Sequence, residues 1–585
     1  MTDYFEVLAR DGAARLGELR LADPLATPAL VDDVVDDAGS LWTADRDVPE
    51  GDEERLTVLP HRAFPAGTDP TVQESFVPDY PDVSFPSAAP VTAETAETVA
   101  ESGCDAYVLS NGQGIVGHAE AFRDELVAVR EAIPADTALY LSGVATPRNV
   151  ATLAYAGVDL VDAKLARVQG SRGFYQTVDA EYFLEDLDEL PCACPACQVG
   201  IEEFDRAACE EHNVNALDAA LRTVRRRIRD GRLRDYLEGQ ARHDQWLTAA
   251  FRRFDQQYGY LEARTPVIRD VELTAASEDS LRRVEIQRFA ERVTSRYRNR
   301  FSNPLVLVPC SARKPYSESQ SHGQFHDAIG WRAHLVSITS PIGVVPQELE
   351  LTYPAQHYDS VVTGRWAEDE VSFVARVLGR YLDRNDYPRI VAHVPEDYRE
   401  IVERATAERD VEVTWTVEDH PTTDESLSNL REALGGELKY GKRERQHNTV
   451  RAIADYQFGD GAGDAIFDGL RTTGRYPKLQ ARDGDGEQLA AMVPQYGVLA
   501  LTLAGARRWV DSDAPTRRVE IDGFVPHGSV LAPGVVDADD AIRVGDEVVI
   551  EGPKAFAVGR AAMHGREMAE STRGIAVEVR HVEER

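Results

Sequence analysis

No run of about 18 apolar residues, the length that spans a bilayer, occurs anywhere in the 585-residue sequence. The opening stretch MTDYFEVLARDG has no cationic leader followed by an apolar core, so a cytoplasmic protein without a membrane partner is expected. Cysteine is scarce: six residues, three of them crowded together, read as a metal pattern in a reducing compartment and exclude a disulfide framework. There is no fixed-period repeat, and the acidic stretch from Asp45 to Glu54 is the nearest approach to low complexity. A G-x-x-x-x-G-K-[ST] loop is also missing.

Cations are the other deficit. One hundred Asp and Glu stand against 64 Lys and Arg, a formal net charge of -36 with a sequence pI near 4.8. At ordinary ionic strength that argues against a nucleic-acid partner. Proteins of halophiles carry acidic surfaces for solvation, however, and at 1 M salt the Debye length is only about 3 Å. Local cationic islands then matter more than the overall balance. Three are present: RTVRRRIRDGRLR (Arg222 to Arg234), LRRVEIQRFAERVTSRYRNR (Leu281 to Arg300) and KYGKRER (Lys439 to Arg445). Each alone reads as a solvated helix face; together they point to a polyanion, with Arg225, Arg226, Arg227, Arg229, Lys442 and Arg443 as candidate contacts.

What is there is a folded, multidomain chain. Hydrophobic residues make up 43% and aromatics 8%, ordinary for globular protein even with 28% charged residues. At roughly 100–200 residues per domain the length predicts about three to five units. In the first 240 residues short apolar strands alternate with helical stretches: DAYVLS (Asp105 to Ser110), ALYLSG (Ala138 to Gly143) and VDLVDA (Val158 to Ala163), with HAEAFRDELVAVREAI (His118 to Ile133) as a helix between two of them. Such alternation implies parallel βα units, with functional residues at strand C-terminal ends. After SEDSLRRVEIQRF, with Ser277 as a helix cap, the strands PLVLVPCS, AHLVSITS, RIVAHVP and VEVTWTV predict a second α/β layer structure. Beyond Arg517, short strands punctuated by Gly and Pro predict a small β-barrel.

PCACPACQ supplies Cys192, Cys194 and Cys197 in C-x-C-x-x-C spacing. A fourth ligand, His212 or Cys209, completes a closed tetrahedral Zn²⁺ site of structural type. FEVLARDGAARLGEL, GVDLVDA, FLEDLDELPCACPAC and HNVNALDAALRTVRRRIRDGRLRDYLE together resemble archaeal tRNA-guanine transglycosylases, whose fold is a zinc-containing TIM barrel. The resemblance selects His212 over Cys209. It also aligns DLVDAK with the segment holding that family's nucleophilic aspartate, which implies Asp162 as a candidate catalytic residue; a plain strand-end residue is the other reading. The second aspartate, before a Ser-Gly-Gly-type turn, has no counterpart here, and the barrel portion is shorter than the family's.

GSVLAPGV (Gly528 to Val535), IRVGDEVVI (Ile542 to Ile550) and AVGRAAM (Ala557 to Met563) resemble a PUA domain, a small RNA-binding barrel. With the cationic islands this implies a structured tRNA as partner and the six island residues as RNA-binding. The domains expected are a transglycosylase-like barrel with the zinc site (1–240), a central α/β layered domain (241–430), a small α+β domain (431–510) and the PUA domain (511–585).

PCSARKPYSESQSH (Pro309 to His322) directly follows the strand PLVLV, at the sheet edge where open α/β folds bind ligands. Cys310 beside Arg313 and Lys314 is a candidate nucleophile, His322 a base or proton donor, and Tyr316 and Ser319 hydroxyl donors to a developing negative charge. A polar loop with a buried Cys is the alternative. Pro309, Cys310, Lys314, Pro315, Tyr316, Ser319 and His322 match the P-C-x-x-x-K-P-Y-x-x-S-x-x-H signature of the archaeosine synthase family, paralogues of the archaeal transglycosylases. That resemblance implies addition of free lysine to the nitrile of a cyano-deazaguanine already placed in the D-loop of tRNA, with no ATP expected because a nitrile is electrophilic enough without activation, consistent with the missing nucleotide loop. It also implies a radical-SAM partner enzyme acting afterwards, and a homodimer or hetero-complex. Base exchange through Asp162, or a non-catalytic tRNA-binding scaffold, are the competing functions.

Overall fold

The computed structural model describes residues 3–39, 48–61, 68–69, 71–72, 75, 80, 82–360 and 365–585, so the acidic stretch expected at Asp45 to Glu54 begins outside the described residues. The chain divides into two compact units, one of residues 1–266 with 531–535 and 563–576, the other of 267–530, 536–562 and 577–585.

The first unit starts with an antiparallel meander, β1 (Phe5–Asp11), β2 (Ala14–Leu19) and β3 (Leu25–Thr27). Seven short parallel strands follow: β4 (Ala29–Leu30), β5 (Val35–Asp37), β6 (Leu56–Val58), β7 (Ser87–Val91), β8 (Ala106–Leu109), β9 (Ala138–Leu141) and β10 (Leu160–Val161). Their order in the sheet is β4-β10-β9-β8-β7-β6-β5. The two border strands are one bent segment of chain. Ala29 and Val31 donate to Asp159 and Val161 at one border, and Val34 accepts from Leu56 at the other, so continuous backbone closes the ring. Alternate residues Leu56, Val58, Ala106, Val108, Ala138 and Tyr140 fill its interior, the period-2 pattern of strands buried on both faces. The helix Ala119–Ala132 packs outside through Phe122, Leu126 and Val129, spaced i, i+4, i+7. A hairpin, β11 (Phe174–Gln176) and β12 (Glu181–Phe183), leads to the helix Arg206–Arg229.

In the second unit β13 (Leu273–Ala275) pairs with β17 (Tyr358–Ser360). The main sheet comprises β14 (Leu305–Pro309), β15 (His334–Thr339), β16 (Gly343–Pro346), β18 (Ile390–Ala392) and β19 (Val413–Trp415), in the order β16-β15-β14-β18-β19, parallel except for β16. Val306 and Val308 face one core, shared with the helix Gln320–Ile329 and with Leu427 and Leu430. Leu305 and Leu307 face the other, shared with Phe289 and Val374. This is a three-layer sandwich, as the alternation of strands and helices predicts. Ser277 precedes a short 3-10 turn there and makes no side-chain capping bond. The helix Lys442–Phe458 and an antiparallel sheet, β20 (Arg471–Arg475), β21 (Lys478–Arg482), β22 (Gln488–Val493) and β23 (Val498–Leu501), form an α+β portion. The C-terminal sheet holds β24 (Arg518–Ile521), β25 (Ser529–Leu531), β26 (Val535–Ala538), β27 (Glu547–Gly552), β28 (Ala555–Ala561) and β29 (Ile575–Glu584), ordered β25-β29-β28-β27-β24-β26. Among the described residues no helix is long and apolar enough to cross a membrane.

Candidate active site and metal centre

The central strand β14 is where the sheet changes direction: the chain leaves β14 for β15 on one side, and leaves β18 for β19 on the other. A crevice at the carboxyl ends of two such strands is the usual ligand site of open α/β sheets. Cys310 follows β14 and Tyr398 follows β18, and the Cys310 Sγ lies 3.7 Å from the Tyr398 hydroxyl. Trp366 packs edge-on against Tyr398 at 4.8 Å. The half-buried Lys314 ammonium sits 3.9 Å from the centre of the Tyr358 ring. Burial lowers the Lys314 pKa, while Cys310, Asp359 and Glu272 pull it back up. Arg313 turns away to pair with Glu318 at 3.0 Å.

Tyr358 links this crevice to the motif helix. Its hydroxyl is 2.6 Å from both the Tyr316 hydroxyl and Thr339 Oγ1. Burial raises the phenols of Tyr316, Tyr358 and Tyr398, which keeps them protonated as donors. The Tyr316 ring stacks on His322 at 5.0 Å. The helix Gln320–Ile329 starts at Ser319, whose Oγ accepts the His322 N–H at 3.2 Å, and stops at Gly330, whose φ of 57° forms a left-handed cap. Ser319 therefore orients His322 as its N-cap. The His322 Nε2 donates to the Pro309 carbonyl at 3.1 Å, fixing the tautomer with a lone pair on Nδ1. That Nδ1 is buried without a hydrogen-bond partner. Burial and then His326 push the His322 pKa down to about 4, so the ring is neutral at pH 7.

Asp162 is a different kind of strand-end residue. Its fully buried carboxylate accepts from Tyr140 Oη (2.8 Å), Ser142 Oγ (2.7 Å), Gly143 N (2.9 Å) and Lys164 N (3.2 Å), with the Lys164 ammonium 3.3 Å away. Its acceptor capacity is taken up by the protein itself.

Cys192, Cys194, Cys197 and His212 bring their ligand atoms within 4.8 Å of one another. The His212 Nε2 donates to the Gln176 carbonyl at 2.9 Å, leaving Nδ1 to face the Cys194 and Cys197 sulfurs at 3.6 and 3.3 Å. Tyr175 stacks on the imidazole at 3.7 Å. An imidazole held through its other nitrogen is the outer-shell arrangement of metal sites, and the four donors can hold a metal ion. Cys209 is outside the cluster, directed to the Phe174 carbonyl.

The cationic islands separate by burial. Arg229 is exposed, and so are Lys442 and Arg443 on the first turn of their helix, where the macrodipole disfavours cations. Among the described residues none of these three has an ion-pair partner. Arg226 pairs with Asp230 at 2.8 Å, Arg227 lies 5.4 Å from the Tyr236 ring centre, and Arg225 reaches back to the Pro28 carbonyl. The second island corrects expectation. Arg283, Arg288 and Arg292 are buried, and Arg300 pairs with Asp455 and Asp464, so most of this stretch serves the interior, with Arg282 and Arg298 left exposed. Sequence reasoning also missed Tyr358, Tyr398 and Glu350, which reach the motif from distant segments, and read Arg445 only as the end of a cationic island, whereas it shares a cavity lining with His322.

Residues 89–245 match the family described as Queuine tRNA-ribosyltransferase, and 286–434, which include the motif, match a domain of unknown function. Residues 448–515 match the patch-forming domain C2 of tRNA-guanine transglycosylase, and 521–582 a PUA domain. The archaeosine synthase of Haloferax volcanii is 69% identical over 588 residues, covering 100% of both chains. The archaeosine synthase subunit alpha of Methanosarcina acetivorans is 40% identical over 638 residues, again covering 100% of both. A tRNA-guanine(15) transglycosylase of Methanothermobacter thermautotrophicus is 27% identical over 490 residues, covering 78% of this chain and 68% of its own.

Proposed function

This chain belongs to the archaeosine synthase family of tRNA-modifying transferases, and from that membership we propose that it joins free lysine to the nitrile carbon of a cyano-deazaguanine base in tRNA. The observation that carries the reading is the meeting of Cys310, Lys314 and Tyr398 at the carboxyl ends of β14 and β18, beside a histidine with an unpaired nitrogen.

The Cys310 thiolate adds to the nitrile carbon, forming a C–S bond while one C≡N π bond becomes an N–H with a proton from Lys314 or Tyr398. The uncharged lysine ε-amine then adds to the thioimidate carbon, one of its protons returns to the Lys314 or Tyr398 that protonated the nitrogen, the C–S bond breaks and the thiolate returns. The net change is addition of an amine N–H across the nitrile to give an amidine. No group is lost, so no nucleotide is needed to activate one. With a pKa of about 4, His322 is too weak a base to hold the amine proton at neutral pH; its Nδ1 orients the uncharged amine. Ser319 acts through the ring it positions, and Tyr316 through its stack on that ring.

The Cys192, Cys194, Cys197 and His212 cluster would hold Zn²⁺ as a closed structural site. The exposed Arg229, Lys442 and Arg443 would track the tRNA backbone together with the PUA portion. The amidine product retains the whole lysine skeleton, so a second enzyme, of radical-SAM type, must cleave it. Both would work in the cytoplasm. Base exchange would need Asp162 free to attack ribose, and its carboxylate is engaged by four hydrogen-bond donors and an ammonium.

Labelled lysine incubated with the protein and nitrile-bearing tRNA tests the reading. Label in RNA supports it; released base would show exchange, and binding without reaction would leave only a scaffold. Without lysine, the wild-type chain should trap a covalent RNA adduct.

A further inference from the structure

A cavity of about 360 Å³ opens on the motif helix within the second unit, bounded by Tyr316, His322, His326, Glu350, Arg445 and Tyr476. Two polar atoms of its lining, His322 Nδ1 and Ser337 Oγ, belong to side chains only 1% exposed and have no hydrogen-bond partner. Unpaired buried polar groups are costly and point to a ligand that pairs them. Arg445 adds a third open valence. Its guanidinium lies 4.5 Å from the Trp331 ring centre and 5.9 Å from that of Tyr476, and among the described residues it has no ion pair. Glu350, 7% exposed, accepts from Tyr476 Oη at 2.7 Å and Ser317 N at 2.8 Å, and Asp327 supplies a second carboxylate to the lining.

We propose that this cavity binds the free lysine of the transfer reaction, with Arg445 on its α-carboxylate, Asp327 and Glu350 as counter-charges to its two ammonium groups, and His322 and Ser337 accepting N–H from the reacting end, whose ammonium gives one proton to solvent before the amine attacks. The inference rests on the lysine-transfer reading. Free lysine carries two positive charges and one negative; the lining carries two carboxylates and one guanidinium. The orientation follows from the fold. Arg445 and His326 both lie against Trp331, at 4.5 and 6.2 Å from its ring centre, and from His326 to His322 the helix rises roughly 6 Å, the reach of a four-methylene chain. His322 is bonded to the carbonyl that precedes Cys310, so its end of the cavity is the one beside the nucleophile. Trp331, Leu335 and Val345 give the methylenes an apolar wall.

The test measures lysine binding to the full chain by calorimetry without RNA, and KM for lysine and for nitrile tRNA separately. Arg445→Met should weaken lysine binding and raise its KM by roughly 30- to 100-fold, with KM for the tRNA moving less than about twofold. Asp327→Asn, at an exposed position that folding does not depend on, should raise KM for lysine by roughly tenfold. Lysinamide, which lacks the carboxylate, should be a poor substrate for wild type and lose little more in Arg445→Met. Unchanged lysine affinity in both variants overturns the proposal while leaving the transfer reading intact. Lysine binding that Arg445→Met abolishes, with no label entering tRNA, would support the cavity and sink the transfer reading.

Discussion

Two strand ends in this molecule hold reactive residue types in opposite conditions. After β10 of the barrel, Asp162 is surrounded by donors from Tyr140, Ser142, Gly143 and Lys164. After β14 of the central sheet, Cys310 has one long contact to Tyr398, and His322 and Ser337 each keep a buried atom without a partner. A folded chain satisfies its own polar groups wherever it can. Open groups occur elsewhere too, Thr27, Asn111 and Thr152 for instance, but only here, among the described residues, do they lie beside a thiol and a lysine; under the proposed reaction the difference separates a carboxylate that stabilises from a cluster that reacts.

The sharpest way to break this comparison is to exchange the injuries. Cys310→Ala should lower lysine transfer by roughly 10⁴-fold or more and abolish the covalent RNA adduct, with the thermal midpoint nearly unchanged. Asp162→Asn should do the reverse, costing about 1–3 kcal/mol of stability in urea melts while transfer per folded molecule stays within about threefold. Transfer lost in the second variant and kept in the first would invert the assignment.

Chelation addresses what the first unit still contributes. Stripping the Cys192, Cys194, Cys197 and His212 cluster of metal should release about one Zn²⁺ per chain and lose the near-ultraviolet dichroism of Tyr175 stacked on His212. If that signal survives complete metal removal, the cluster does not hold this part of the fold.

A third measurement sharpens the contrast from the side of the histidines. His322, His326 and His393 are each lowered by burial to about 4, below the unfolded value near 6.5. Neutral in the fold, they contribute stability that is complete above pH 6.5 and is lost as pH falls toward 4, each by up to about 1.4 kcal/mol per pH unit. Urea melts at pH 7.0, 5.5 and 4.5 should show this slope, and His322→Gln should remove one proton's share of it.

The smallest effect concerns the RNA grip. Arg443→Ala and Arg229→Ala should each reduce the slope of log affinity against log salt by about one, with lysine KM unaffected. If only one does, one unit carries the tRNA contact.

Much of the fold was legible. PLVLVPCS, AHLVSITS and RIVAHVP contain β14, β15 and β18, because strands covered on both faces read as apolar runs, and VEVTWTV, rich in β-branched residues, contains the half-buried edge strand β19. VDLVDA narrows to two residues of strand, since the barrel's short staves are paired over little of their length. The motif was legible as chemistry, but its setting was not. Tyr398 lies 88 residues from Cys310, brought there by a crossover that no local pattern encodes. KYGKRER reads as one cationic patch, yet Lys442 and Arg443 are exposed while Arg445, two residues beyond Arg443 and about 200° round the same helix, lines the cavity. The island at Leu281 to Arg300 misleads for the same reason: charge on a helix announces itself in sequence, but the face it occupies depends on what packs there.

The single bent segment at both borders of the barrel sheet has a consequence for how the chain survives its own folding. A flat parallel sheet exposes two rows of unsatisfied backbone groups, and these are templates on which foreign strands grow. Here residues 29 to 38 lie along the last strand and then along the first, so the same ten residues stop both rows. Truncating that segment should make the unit sticky before it makes it unstable.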